Sequence, residues 1–114
     1  MKKTIVLMFA GLLMLGIQNL YAETKIEKFK VAGNCGMCEK RIEKAALGVK
    51  GVSKADWNKD TKEMVVDFDV AKTSLDKVEA AIAKVGHDTP LHKADAKNYD
   101  SLPNCCQYER PAAK

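Results

Sequence analysis

The stretch EMVVDFDV, residues 63–70, carries the clearest β-strand pattern in this 114-residue chain. Its even-numbered positions are all apolar: Met64, Val66, Phe68 and Val70. The positions between them include two aspartates. Because successive side chains of a strand point to opposite faces, the alternation predicts a half-buried strand with one face toward a hydrophobic core.

Three further segments are expected to extend the sheet of this strand. Residues 24–32, TKIEKFKVA, carry apolar residues between lysines, and residues 52–58, VSKADWN, place Trp57 on one side. Residues 87–93, HDTPLHK, are long enough for one last strand. Pro90 has no N–H to donate, so this strand is predicted at the edge of the sheet.

Two stretches show the period of amphipathic helices, and each has a glycine at or near its end. Thr73 with Asp76 is typical of an N-cap followed by an acid in the first turn, which predicts the start of the second helix. Gly48 and Gly86 are the terminating glycines. The first apolar stripe is Cys38, Ile42, Ala45, Ala46 and Val49, and the second is Leu75, Val78, Ile82 and Val85.

Two consecutive strand–helix–strand units predict an α+β fold. The expected architecture is a ferredoxin-like βαββαβ sandwich, with a four-stranded antiparallel sheet and two helices on one face. The apolar stripes then form the core. Trp57 and Met64 are accordingly expected to pack in that core rather than to bind a ligand.

The first 22 residues have the organisation of a secretory signal peptide. Lys2 and Lys3 precede an uncharged, mostly apolar run over residues 5–17, and Ala22 is a suitable last residue of the cleaved segment. The run is shorter than the roughly 20 residues that a membrane-spanning helix needs. We therefore expect cleavage near Ala22, export to the periplasm of a Gram-negative cell or secretion from other cells, and no stable membrane insertion.

The mature chain is expected to form one domain over residues 23–93, followed by a flexible tail over residues 94–114. Without Lys2 and Lys3 the formal net charge falls from +4 to +2. Basic and acidic residues are interspersed without a polybasic block, so nucleic acid is not an expected partner. No enzymatic activity is predicted, and the chain is expected to be a monomer.

Cys35 and Cys38 form a C-x-x-C pair between the first predicted strand and the first predicted helix. A helix N-terminus carries unpaired N–H groups and roughly half a positive charge, which favours the thiolate that binds metals. Two thiolates without an obligatory third ligand suit a soft ion of low coordination number, Cu(I) or Hg(II). A structural zinc site takes four nitrogen or sulfur ligands, so Zn(II) is less favoured. A disulfide within the pair would close a small loop and stabilise little.

Thiol–disulfide redox chemistry is the alternative function, because thioredoxin-type oxidoreductases also place C-x-x-C at a helix start. Their signature has tryptophan before the first cysteine and proline inside the pair, whereas this chain has Asn34 before it and Gly36 and Met37 inside it. The mature chain is also short for that fold. Covalent haem attachment is excluded because Glu39 stands where a histidine would follow the pair.

The stretches GNCGMCEKRIEKA (33–45), ADWN (55–58) and VGHD (85–88) resemble the heavy-metal-associated domain family, and the resemblance extends over about residues 24–92. That family includes periplasmic mercuric-ion-binding proteins, copper chaperones and domains of copper-transporting ATPases. The resemblance implies that the two cysteines of the C-x-x-C pair bind the metal. It also implies that a membrane metal transporter, or its metal-binding domain, receives it.

Further positions are candidate contributors to the metal site. His87 follows the second helix in a loop that, by the resemblance, faces the cysteine loop. It would act as a third ligand or as a surface histidine that caps the helix. Cys105 and Cys106 would complete a three- or four-sulfur site, form a second soft-metal site on a flexible arm, or stay disulfide-bonded or idle. Met37 is expected to fill space locally, or to replace a methionine that the family often carries at the position of Gly33.

Overall fold

A computed structural model of the chain describes residues 23–110. The expected signal peptide over residues 1–22, with its cleavage near Ala22, lies outside the described residues, as do residues 111–114. The elements in chain order are β1 (Thr24–Lys30), α1 (Gly36–Leu47), β2 (Val52–Trp57), β3 (Glu63–Asp69), α2 (Leu75–Lys84), α3 (Ala96–Asp100) and a 3₁₀ turn (Asn104–Cys106). None of the helices in the described part of the chain is long and apolar enough to cross a membrane.

The sheet is antiparallel with strand order β1-β3-β2, so the strand that the sequence marks most clearly is the central one. The register places Met64 opposite Phe29 on one side and opposite Trp57 on the other. The predicted alternation is confirmed along β3, where the inward side chains are Met64, Val66 and Phe68. Val70 follows the end of the strand and is 42% exposed, so the pattern stops one residue earlier than expected.

One buried cluster joins the inward face of β3 to both long helices. Helix α1 contributes the inward sulfur of Cys38, as its period predicts. The other members contributed by the helices are Ile42, Ala46, Val78 and Ile82. Burying a valine or isoleucine side chain is worth roughly 1.5–3 kcal/mol. The α+β class and the core role of Trp57 and Met64 are therefore confirmed.

The predicted fourth strand over residues 87–93 is not confirmed in the described structure. A single backbone hydrogen bond, from Ala32 N–H to the carbonyl of Asp88 at 3.0 Å, stands where a ladder was expected. The chain then reverses around Pro90, with Thr89 N–H donating to the carbonyl of His92 at 2.8 Å. Because these backbone groups are used within a turn, they are not available to a neighbouring strand.

The start of α2 also differs from the prediction by one residue. Ser74 is the N-cap, and its hydroxyl accepts a hydrogen bond from the backbone N–H of Lys77 at 3.3 Å. Thr73, the predicted cap, is buried instead, and its hydroxyl has no partner among the described residues. Thr73 and Ser74 both carry a hydroxyl that can cap a helix, so the sequence alone does not distinguish between the two adjacent positions.

The segment expected to be a flexible tail is folded against the domain over residues 94–110, which we call the C-terminal arm. It contains α3 and the 3₁₀ turn, and it buries three side chains in the core: Leu102, Cys106 and Tyr108. The prediction that this segment is flexible is therefore wrong for residues 94–110. The sequence of the arm shows no helical or strand period because the arm is held in place by contacts with distant parts of the chain.

Tyr108 and Arg110 hold the end of the C-terminal arm in place. The Tyr108 hydroxyl accepts from Asp88 N–H at 2.9 Å and donates to the carbonyl of Gly86 at 2.8 Å. The Arg110 guanidinium makes two hydrogen bonds to the Asp88 carboxylate, at 3.1 and 3.0 Å, and lies 4.8 Å from the centre of the Tyr99 ring. Such a two-point, charge-assisted contact is both directional and strong.

Replacing Gly86 with alanine is expected to destabilise the fold and displace the C-terminal arm. Gly86 has a φ of +109°, and an added Cβ would lie 2.8 Å from the carbonyl oxygen of Asn98 and 2.9 Å from Leu102. Backbone strain of this kind costs about 1–3 kcal/mol. Urea unfolding of Gly86→Ala should show a loss of that size, whereas Gly36→Ala is the control, since its Cβ would meet nothing within 4 Å. Equal stability of the two variants would contradict this account of the arm.

Candidate metal centre

The four cysteine sulfurs meet at one end of the domain. Cys35 is the N-cap of α1, and Cys38 lies in its first turn with the side chain fully buried. Cys105 and Cys106 lie in the 3₁₀ turn of the C-terminal arm, the first exposed and the second buried. All four are free thiols.

Cys35 is the common neighbour of both cysteine pairs. Its Sγ lies 3.5 Å from Sγ of Cys38 and 3.5 Å from Sγ of Cys106, which is 71 positions away in sequence. The two vicinal sulfurs lie 3.9 Å apart. Within residues 23–110, Cys35, Cys105 and Cys106 form a group whose sulfurs all lie within 4.8 Å of one another. Thus the structure brings together the C-x-x-C pair and the distant vicinal pair.

The two thiols of the C-x-x-C pair are electrostatically unlike. The backbone N–H of Cys38 donates to the Cys35 sulfur and lowers the pKa of Cys35 to about 6. Burial raises the pKa of Cys38 to about 11, and burial also raises the pKa of Cys106. At neutral pH the site therefore holds a Cys35 thiolate beside the protonated thiols of Cys38 and Cys106, and a metal that binds either of these two sulfurs must displace its proton.

Arg41 is a functional neighbour that the sequence analysis did not identify. Its guanidinium donates a hydrogen bond to the Cys106 sulfur at 3.4 Å. Arg41 stands three positions after Cys38 on α1, so the two share a helix face, which is the only sequence signal that could have indicated it. A fixed positive charge beside a group of sulfurs favours their ionised form.

The alkylation rate of Cys35 should report its low pKa. Only the thiolate is nucleophilic, so the rate rises as pH rises through about 6 and levels off near neutral pH, well below the pKa of about 8.5 of a free cysteine. Iodoacetamide labelling read by fragment mass spectrometry separates Cys35 from Cys38 in one peptide. A Cys35 rate that still climbs steeply between about pH 8 and 9, as for an ordinary thiol, would contradict this assignment.

Trp57, rather than Met37, supports the cysteine loop from the core. The Trp57 ring is fully packed under Gly33, where an added Cβ would lie 2.9 Å from the ring. Met37 is 54% exposed, and its sulfur lies 3.7 Å from Sγ of Cys105. The alternative in which Met37 replaces the buried methionine of the family is therefore wrong.

His87 is buried and is not a member of the group formed by the sulfurs of Cys35, Cys105 and Cys106. Its Nδ1–H donates to the carbonyl of Ala32 at 2.8 Å, and its ring stacks on Tyr108 with centroids 5.7 Å apart. Burial lowers the pKa of His87, which favours the neutral ring. The prediction that His87 is a surface residue capping the helix is thus wrong. The group of possible metal ligands found among residues 23–110 contains no histidine. A role for His87 as a supplementary ligand stays a prediction without support from this arrangement.

Comparisons with known proteins identify the family of this chain. A model of the heavy-metal-associated domain matches residues 28–88. The chain belongs to the heavy-metal-associated domain family. The matched region includes Cys35 and Cys38 and ends before the C-terminal arm, so Cys105 and Cys106 lie outside it.

Relatives of this heavy-metal-associated domain protein include transport and chaperone proteins. It is 37% identical over 73 residues to the mercuric transport protein periplasmic component of Pseudomonas aeruginosa, covering 63% of this chain and 80% of that protein. Among solved structures it resembles the CopZ metallochaperone, with a TM-score of 0.55, 30% identity, and coverage of 57% of this chain and 98% of the other. It also resembles oxidised MerP from Ralstonia metallidurans CH34, with a TM-score of 0.56, 38% identity, and coverage of 59% and 94%.

Proposed function

We propose that this protein captures a soft metal ion, Cu(I) or Hg(II), through Cys35 and Cys38 and hands it to another protein. The observation that carries the proposal is the pair of sulfurs 3.5 Å apart at the start of α1. One of them is a thiolate at neutral pH, because the pKa of Cys35 is lowered to about 6. Thiolate pairs select soft ions over ions that prefer oxygen.

The proposed exchange depends on the difference between the two thiols. The Cys35 thiolate makes the first bond to an incoming ion, and Cys38 then gives up its proton to make the second. Since burial raises the pKa of Cys38 to about 11, the return of that proton favours release of the ion to an acceptor thiolate. The ion is thus cargo that moves by ligand exchange, and no redox change is needed.

The names of the relatives support two further parts of the proposal: that the protein is exported, and that it delivers the metal to a membrane transporter. One is called the periplasmic component of a mercuric transport protein, and another is called a metallochaperone. An exported carrier that delivers metal to a membrane transporter, or to its metal-binding domain, agrees with both. These names favour metal handling over the thiol–disulfide redox alternative.

Metal competition on the reduced mature protein under anaerobic conditions tests the proposal. The titrants are Cu(I), Hg(II) and Zn(II), with binding followed by a chromophoric chelator for each ion. Cu(I) and Hg(II) are expected to displace Zn(II) at one equivalent per chain, because soft ions prefer thiolates. Retention of Zn(II) against one equivalent of either soft ion would contradict the proposed cargo.

Oxidised protein is expected to take up no Cu(I). The Cys35 and Cys38 sulfurs are close enough to form a disulfide after a small approach, and a disulfide sulfur lacks the charge that makes a thiolate a ligand. The same titration after treatment with an oxidant, and again after reduction, measures this loss and its recovery. Equal uptake by the fully oxidised protein would place the binding site elsewhere.

A further inference from the structure

The C-terminal arm places two more sulfurs at the metal-binding loop, although it lies outside the family region. We infer that Cys105 and Cys106 join Cys35 in a three-thiolate site for a soft ion such as Cu(I). This site deepens the proposed function and rests on it, because Cys35 is a ligand in both. Three sulfurs that already lie within 4.8 Å of one another need only small side-chain movements to contact one ion.

The position of the vicinal pair is fixed by the fold of the arm rather than by chance contact. Leu102 and Tyr108 are buried on either side of the pair, at 5% and 4% exposure. The hydroxyl of Tyr108 and the guanidinium of Arg110 bond to groups at residues 86–88. A ligand set that is ordered before the ion arrives avoids the entropy cost of ordering it on binding.

The charge around the vicinal pair also suits a thiolate site. Three thiolates with Cu(I) carry a net charge of about −2, which is costly at a half-buried position unless a cation lies close. Arg41 meets this need, since its guanidinium already donates to Cys106 at 3.4 Å. Guanidinium groups stay charged at any physiological pH, so this compensation does not depend on titration.

Cys35 then belongs to two alternative ligand sets: the pair with Cys38 and the trio with Cys105 and Cys106. An ion can pass between them while the bond to Cys35 is kept. Passing from the pair to the trio breaks the metal–sulfur bond of Cys38 and forms bonds to Cys105 and Cys106, and the return reverses this. Cys38 takes up one proton, the two incoming sulfurs bind as thiolates, any further proton that they release goes to solvent, and no electrons are transferred. The arm thereby retains the ion between capture and delivery, and the C-x-x-C pair presents it to the acceptor.

The sulfur coordination number of bound Cu(I) tests this inference in the full mature chain. The reduced protein with one equivalent of Cu(I) is studied by X-ray absorption, together with Cys105→Ser, Cys105→Ser/Cys106→Ser and the control Glu109→Gln. We expect about three sulfurs per copper in the wild-type and control proteins and about two in both serine variants. Because Cys105 is exposed, Cys105→Ser keeps the fold even where loss of the buried Cys106 disturbs the arm.

Competition with a Cu(I) chelator gives a second reading on the same samples. Both serine variants should lose copper at a chelator concentration at least about tenfold lower than the wild type, because even the loss of an outer-shell partner of a ligand lowers metal affinity by about 10–100-fold. Two sulfurs in the wild type, with equal copper retention by all four proteins, would overturn the inference and leave capture by the C-x-x-C pair standing. The proposed function fails separately, if a variant lacking Cys35 and Cys38 still binds copper as the wild type does.

Discussion

The double variant Cys35→Ser/Cys38→Ser is expected to keep its fold and to lose soft-metal affinity by at least about 100-fold. Even an outer-shell partner of a metal ligand contributes about 10–100-fold to affinity, and this change removes two ligands themselves. The fold should persist because the core is built by β3 and the two long helices, with Cys38 as one small member. Serine has nearly the same volume, and its hydroxyl can bond within the helix.

Chelator competition with Cu(I) and Hg(II) measures the loss, and circular dichroism with urea unfolding measures the fold. Met37→Leu is the matched control, because it changes the residue between the two cysteines while keeping both thiols, and its side chain is exposed. Metal binding close to that of the wild type would show that the pair is not the site. Complete unfolding of the double variant would make the pair a structural element instead of a binding site.

Trp57→Ala is expected to lower the free energy of unfolding by about 3–5 kcal/mol, the largest stability effect that we predict. The side chain is 1% exposed, and its Nε1–H donates to the carbonyls of Val31 at 3.1 Å and Lys62 at 3.2 Å. Truncation leaves a cavity under Gly33 and removes the only side-chain donor described for these two carbonyls. The loop that carries Cys35 and Cys38 then loses the side chain that packs beneath it.

Trp57→Phe separates the two contributions of this side chain. Phenylalanine keeps most of the ring volume and loses the N–H, so we expect a cost of about 1–3 kcal/mol, below that of alanine. Urea denaturation at constant slope gives both values from the shift in midpoint. A loss under about 1 kcal/mol in Trp57→Ala would contradict the role given to this residue in supporting the loop.

The fold could be predicted from the sequence wherever a pattern reflects local geometry. The alternation over residues 63–70 identifies the central strand, and the helical period after the cysteine loop correctly turns Cys38 inward. Residues 87–93 are predicted as a short edge strand, yet the chain bends at Pro90. The backbone N–H of Asp88 donates to the hydroxyl of Tyr108, which is 20 positions later in the sequence. A local sequence pattern does not show this partner, which replaces a bond to a neighbouring strand.

The candidate site likewise has a part that local sequence features predict and a part that depends on long-range contacts. Cys35 and Cys38 could be identified because their spacing and their place before a helix are local features. The approach of Cys106 to Cys35 spans 71 positions and depends on the burial of Tyr108 and on the pairing of Arg110 with Asp88. Such contacts leave no periodic signal, so the sequence allowed a sulfur site with the arm as one alternative among several. His87 has the chemistry of a ligand, and its ring stacks on Tyr108, so its role as a supplementary ligand stays a prediction.

Protection of Cys35 from alkylation is the most direct test that the metal binds at the C-x-x-C loop. The reduced protein is labelled with iodoacetamide at pH 7, without metal and with one equivalent of Cu(I), and Cys35 modification is read from fragment masses. Since the pKa of Cys35 is about 6, the metal-free protein should react readily at that pH. The account predicts that one equivalent of Cu(I) suppresses Cys35 labelling, whereas one equivalent of Mg(II) leaves it unchanged. Unchanged labelling of Cys35 in protein shown to contain bound Cu(I) would contradict the central claim.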